Sequence, residues 1–169
     1  TELTYFGPAE ETMRLLADLL FKEHWRDITV GPCIEGAVFE IRFQEPPKVS
    51  MLDGYLTVDL GHWHFHLCLG EHRGTASEEL RRRRRVARVA FFETRGGRCG
   101  SGRSWGLRLW NGCGEQMTTV FLPNPFLSEE LKVLHQPRWE RLRLWYELRQ
   151  RFLGEPIPTD FTSVQRLER

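Results

Sequence analysis

The sequence predicts an α+β domain in which a mostly antiparallel sheet carries helices packed on one face. Two hairpin signals support the sheet, because Asp53-Gly54 and Asn111-Gly112 each lie between segments that are typical of strands. Apolar residues at helical spacing support a helix near each end of the chain. The length of 169 residues fits one domain over 1–169, and we expect the tail from about residue 158 to be weakly ordered.

The first predicted helix begins after Pro8 and ends near His24. Proline is favoured at a first helical position, and Met13, Leu16 and Leu20 then recur at helical spacing. These three side chains predict an apolar helix face that packs on the sheet.

Strands dominate the next part of the sequence. Gly31-Pro32 is interpreted as a break, and residues 36–43 alternate in a way that predicts a strand. The Asp53-Gly54 turn then leads into a further strand that starts at Tyr55.

The most informative stretch is 61–72, which contains four of the six histidines. Side chains alternate between the faces of an extended strand, so His62, His64, His66 and Cys68 are predicted to share one face. Imidazole and thiolate are the usual ligands of zinc and the later first-row metals. This pattern predicts a metal site.

The register of the histidine face leaves two interpretations open. The apolar positions are even-numbered from Leu56 to Leu60 and odd-numbered from Trp63 onward. A bulge at Gly61 is favoured, because it would turn Trp63 and Phe65 inward and the histidines to the opposite face. The alternative is an unbroken strand whose histidines lie in the core and require a metal or a dense hydrogen-bond network.

The middle of the chain is predicted to be helical. Ser77 is a suitable N-cap for a helix that contains Glu78. Val86 to Glu93 could continue that helix or form a strand, and a helix through about Phe92 is favoured. A glycine-rich loop then covers 95–103.

The last third predicts a hairpin and two helices. Strands at 104–110 and 115–122 flank the Asn111-Gly112 turn, and Ser128 is expected to cap a short helix that stops before Pro137. The final helix runs from about Trp139 to Phe152 and is closed by Gly154.

Distance limits which histidines can share an ion. Residues two apart on a strand are roughly 6.6 Å apart, whereas metal–nitrogen bonds are about 2.0–2.1 Å long. We therefore expect two of His62, His64 and His66 to bind a divalent transition metal, zinc or iron, with His72 or Glu71 completing the site. Glu71 is also the candidate general base toward a metal-bound water. The alternative is a polar histidine ladder that lines a groove or an interface.

Arginines give a second candidate site. Arg81, Arg84, Arg85 and Arg88 would fall on one face of the predicted helix, where guanidinium groups could hold carboxylates or phosphates of a cofactor or substrate. The alternative is a solvated face balanced by nearby glutamates.

Composition narrows the class of protein. Net charge of +1 disfavours a dedicated nucleic-acid binder, and no apolar run approaches the roughly 20 residues that span a bilayer. Four scattered cysteines favour a reduced, cytoplasmic protein over a disulfide scaffold. The expected partner is a small-molecule ligand, and assembly into a homo-oligomer is left as an open alternative.

The Gly-His-Trp-His-Phe-His-Leu-Cys strand at 61–68, the Trp-Gly-Leu-Arg-Leu hairpin and Pro-Asn-Pro-Phe resemble an uncharacterised bacterial domain family. That resemblance implies no known activity, so no residue role follows from it. The residues themselves favour a metalloenzyme that acts on a small, anionic substrate. The competing hypothesis is a non-catalytic module that binds a metal, a haem-like ligand or a partner chain.

Overall fold

A computed structural model describes residues 2–74, 76–96 and 101–162 of the chain. Short helices and antiparallel strands follow one another without a repeat. In chain order the elements are β1 (Glu2–Phe6), α1 (Glu10–Asp18, extended by a π-helical turn Leu19–Glu23), β2 (Thr29–Ile34), β3 (Ala37–Val38), β4 (Ile41–Arg42), β5 (Lys48–Leu52), β6 (Tyr55–Asp59), β7 (His64–Cys68), α2 (Glu78–Arg84), β8 (Val86–Arg95), β9 (Arg103–Asn111), β10 (Gln116–Phe121) and α3 (Arg143–Leu153, preceded by a 3-10 turn Trp139–Leu142).

Two antiparallel sheets form the β part of the described chain. The large sheet has the strand order β1-β8-β9-β10-β2-β3, and β4 also pairs with β2. The small sheet has the order β5-β6-β7. The predicted α+β class and the antiparallel sheet are confirmed.

One face of the large sheet, here called the inner face, carries helices α1 and α3 and the core. Phe91, Leu107 and Val120 lie side by side on three neighbouring strands of this face, and each is at most 2% exposed. Helix α1 packs Met13 and Leu16 into the same cluster, together with apolar residues of the small sheet. Helix α3 contributes Phe152, which stacks on Phe6 of β1, and Arg149, whose guanidinium lies 6.0 Å from the ring centroid of Phe91. Helix α1 therefore lies against both sheets.

The opposite, outer face of the large sheet is covered by guanidinium groups. Arg88 lies over the rings of Tyr5 and Trp110, at 5.0 and 4.6 Å from their centroids. Arg108 lies 4.3 Å over the ring of Phe92, which is fully buried. Planar cations thus shield aromatic surface that the described helices leave uncovered.

Local signals in the sequence give several elements correctly. The side chain of Ser77 accepts a hydrogen bond from the Leu80 amide and caps α2. Asp53 and Gly54 both adopt positive φ in the β5–β6 hairpin, as a type I′ turn requires. Gly154 ends α3 in the left-handed conformation with φ 71°.

The predicted helix over 78–92 is wrong beyond Arg84, because Val86–Arg95 forms strand β8. Phe91 and Phe92 point to opposite faces of the sheet, and both are fully buried. A strand buried on both sides shows no alternation, so its sequence resembles a buried helix.

The predicted break at Gly31-Pro32 is also wrong, since both residues lie inside β2. Glycine is needed there because a Cβ at Gly31 would meet the Phe39 carbonyl oxygen at 1.5 Å. The pairing of β2 with the neighbouring segment is interrupted at residues 39–40, opposite Gly31, so the single strand predicted over 36–43 is split into β3 and β4.

The short helix predicted after Ser128 is a turn in the structure. The Ser128 hydroxyl accepts hydrogen bonds from the amides of Glu130 and Lys132, and Leu131 has φ 62°. The predicted loop over 95–103 falls partly on 97–100, which includes Cys99, and the predicted tail falls partly on 163–169. These residues lie outside the described part of the chain. Within that part, Phe161 is buried against Tyr146.

Candidate functional site

The histidine-rich stretch forms one strand of a hairpin. Strands β6 and β7 pair antiparallel, and the chain reverses over 60–63, where Gly61 has φ 80° and its amide donates to the Asp59 carboxylate at 2.7 Å. The chain makes a complete hairpin turn here, whereas the sequence predicted either a bulge or an unbroken strand. Phe65 packs inward and His64 lies on the opposite face, as the bulge hypothesis expected. Trp63 does not turn inward and is 59% exposed.

Cross-strand pairing gives each histidine of β7 a polar neighbour on β6. Asp59 lies opposite His64, and its Oδ1 is 3.7 Å from the histidine Nε2. Thr57 lies opposite His66, and its hydroxyl is 2.9 Å from the histidine Nδ1. The two imidazole rings are 6.0 Å apart between centroids and tilted by 35°. Both histidines are exposed, so this surface of the small sheet is polar and open.

The other two predicted metal ligands do not join them. His62 lies in the turn before β7. His72 lies beyond the other end of β7, where its Nδ1 is 3.1 Å from both the carbonyl oxygen and a carboxylate oxygen of Asp53. Among residues 2–74, 76–96 and 101–162, no group of three or more His, Cys, Asp or Glu side chains converges on one point as the side chains stand. The structure therefore brings together two of the four predicted histidines.

Asp59 is a candidate ligand that sequence reasoning missed. Two ligands of one tetrahedral ion with bonds of about 2.0–2.1 Å are separated by about 3.3 Å. The 3.7 Å between Asp59 and His64 is close to that spacing. The turn at Gly61 is the sequence feature that could have revealed Asp59 as a ligand, because an antiparallel hairpin places Asp59 opposite His64.

The predicted arginine site is partly assembled. Arg81, Arg84 and Arg85 line a small cleft together with Cys68, Glu71 and His72. Arg85 pairs with Glu71 at 3.3 Å, and the cleft volume is only about 20 Å³, close to that of a single water. Arg88 is not part of this cleft, because it lies on strand β8 over Tyr5 and Trp110 instead of on a helix.

Cys68 is a buried thiol next to this cleft. Burial raises its pKa above the ordinary thiol value, and its Sγ donates to the Gly70 carbonyl oxygen at 3.4 Å. Burial likewise raises the pKa of Tyr55, which lies opposite Cys68 across the hairpin. Thiolate is the form that attacks and that binds metal, so these surroundings favour a structural role for Cys68.

A cavity larger than this cleft lies elsewhere, and no sequence pattern predicted it. Its volume is about 320 Å³, within the usual range for small-molecule sites. Its lining combines segments that are distant in sequence: Arg26, Asp27, Thr29, Glu40, Arg42, Ser101, Ser104, Phe121, Leu122, Pro123, Asn124, Leu127, Glu129, Leu131 and Arg141.

Fold and surface together define an α+β domain with an open histidine face and a separate cavity of mixed polar and apolar lining. The chain belongs to DUF7676, a family of unknown function whose model matches residues 1–154. The resemblance to an uncharacterised domain family is thereby confirmed. Comparison with curated proteins gives no match. No helix in the described ranges has the length and apolar character needed to cross a membrane.

Proposed function

We propose that this protein binds a divalent transition metal, zinc or iron, on the outer surface of the small sheet, through Asp59, His64 and His66. The observation that supports the proposal is the 3.7 Å between the Asp59 and His64 ligand atoms, with the His66 ring 6.0 Å from that of His64. Two imidazoles and one carboxylate are a ligand set that suits zinc and non-haem iron.

Contacts across the β6–β7 hairpin orient the His66 and His64 side chains. The His66 Nδ1 is occupied by the Thr57 hydroxyl at 2.9 Å, so the Nε2 atom is the one available to an ion. His64 faces Asp59 through Nε2. Closing the site requires a side-chain rotation that brings the His66 imidazole toward this pair and gives up its present hydrogen bond to Thr57. Both rings are solvent-exposed, so the surrounding core does not oppose that rotation.

Glu71 is not assigned the role of a base at this site. His64 and Cys68 are four residues apart on β7, a separation of about 13 Å, and Glu71 lies beyond Cys68. Glu71 is paired with Arg85 at 3.3 Å. An ion with three protein ligands would keep an open position for water, which is the arrangement of catalytic sites. A small, anionic substrate could bind at that open position.

The test is calorimetric titration of metal-free protein with Zn²⁺ and, under anaerobic conditions, Fe²⁺. His64→Ala, His66→Ala and Asp59→Asn each remove one proposed ligand. Since loss of an outer-shell partner already costs about 10–100-fold in metal affinity, each ligand variant should bind at least about tenfold more weakly.

His135→Ala is the matched control, because His135 is an exposed histidine outside this sheet. Its affinity should equal that of the unmodified protein. Equal affinity in the His64 and His135 variants, or no binding by the unmodified protein, would refute the site. Melting curves of the metal-free variants show whether each one is folded.

A further inference from the structure

The cavity of about 320 Å³ lies between the β2–β4 region and the segment that follows β10. Phe121, Leu122 and Leu127 give it an apolar wall, and Thr29 and Ser104 add hydroxyl groups. It therefore differs from the histidine face, which is a flat, exposed surface.

Part of the charge around this cavity is neutralised within the protein. Arg141 pairs with Glu129 at 2.8 Å and donates to the Asn124 carbonyl oxygen at 3.1 Å. The Asp27 carboxylate lies 3.4 Å from the His24 Nδ1 atom, a contact that is an ion pair only when the histidine is protonated.

Besides Asp27, three lining charges have no ion-pair partner among the described residues. Within the described part of the chain, the side chains of Arg26, Arg42 and Glu40 make no hydrogen bond or ion pair, although all three line the same cavity. Arg26 stacks on the Trp25 ring at 4.8 Å, a contact that leaves its N–H donors in the guanidinium plane unused. Two cations and one anion are thus held around one space without pairing with one another.

We propose that this cavity binds an α-amino acid with an apolar side chain. The carboxylate of the ligand pairs with Arg26 and Arg42, its ammonium group pairs with Glu40, and its side chain packs on the wall formed by Phe121 and Leu127. A zwitterion satisfies lining charges of both signs at once. A simple carboxylate would leave the Glu40 charge unpaired, and a simple amine would leave the two arginines unpaired. This site is separate from the proposed metal site and does not depend on it.

The test is calorimetric titration with L-leucine, L-methionine and L-phenylalanine. The best of these is then compared with its two truncated analogues, which for leucine are 4-methylpentanoate, lacking the amino group, and 3-methylbutylamine, lacking the carboxylate. Each analogue loses charge-assisted hydrogen bonds and should bind at least about tenfold more weakly.

The Arg42→Gln and Glu40→Gln variants test whether the amino acid binds in this cavity. Both residues are exposed, so folding should be unaffected, and each variant should weaken amino-acid binding by about tenfold or more. Arg83→Gln is the matched control, since Arg83 pairs with Glu79 on the exposed surface of α2. Failure of all three amino acids to bind, equal binding of the deaminated analogue, or unchanged binding in the Arg42 variant would each overturn the proposal.

Discussion

Gly31→Ala is expected to be among the most damaging single-methyl additions in this protein. The new Cβ would meet the Phe39 carbonyl oxygen at 1.5 Å and its carbon at 2.6 Å. Both are backbone atoms, which cannot rotate away as a side chain can. The connection between β3 and β4 would have to lift from the outer face of the large sheet.

The expected cost follows from what that displacement breaks. The Phe39 amide donates to the Pro32 carbonyl oxygen at 3.0 Å, and losing this bond costs about 1 kcal/mol. Overpacking adds about 1–3 kcal/mol. A total of about 3 kcal/mol would lower the melting temperature by about 6–12 °C for a protein of this size.

Urea unfolding followed by tryptophan fluorescence measures this change directly. Gly7→Ala is the control, because a Cβ at Gly7 would have no atom within 4 Å, and its effect should stay within about 0.5 kcal/mol. If Gly31→Ala proved as mild as Gly7→Ala, the close approach of the Phe39 carbonyl to Gly31 would be incorrect.

Three further predictions concern stability. Ser77→Ala removes the cap of α2 and should cost about 1 kcal/mol in urea unfolding, whereas loss of no more than about 0.2 kcal/mol would contradict the capping role. Phe91→Ala empties a fully buried position and should cost about 3–5 kcal/mol by the same measurement; a cost under about 1 kcal/mol would contradict its place in the core. Cys68 holds its proton more tightly in the folded state, because burial raises its pKa. Its stabilising contribution is therefore complete below the unfolded thiol pKa of about 8.5 and is lost as pH rises through the higher folded value. Cys68→Ala should flatten the alkaline decline of the unfolding free energy, and an unchanged slope would refute this assignment.

Local chemistry made part of the fold predictable. Ser77, Asp53-Gly54 and Gly154 each act within a few residues of their own position, so their roles can be read without knowing the rest of the structure. The amphipathic spacing of α1 similarly depends only on its own segment.

Features that depend on distant segments were not predictable. Phe91 is buried only when the core and α3 cover the inner face, and Phe92 only when Arg108 of β9 covers it on the outer face. The need for glycine at position 31 arises only when the Phe39 carbonyl lies against it. These neighbouring groups lie outside the short stretch of sequence around Phe91 or Gly31, so that stretch does not reveal them.

In the candidate sites, too, the features set by local sequence were predictable and those set by distant segments were not. Alternation correctly placed His64 and His66 on one face, because the faces of a strand depend only on residue parity. The reversal after Asp59 was missed, and with it the place of His62 in the turn and the proximity of Asp59 to His64. The cavity was missed entirely, since Arg26, Arg42 and Phe121 meet only through the pairing of β2 with β4 and β10.

The guanidinium groups on the outer face of the large sheet bear on the behaviour of the protein in solution. Arg88 and Arg108 cover aromatic rings that would otherwise form an adhesive surface. Two molecules approaching through these faces would bring like charges together and would have to strip water from both. These cationic groups therefore disfavour stacking of the outer face on a second copy of itself.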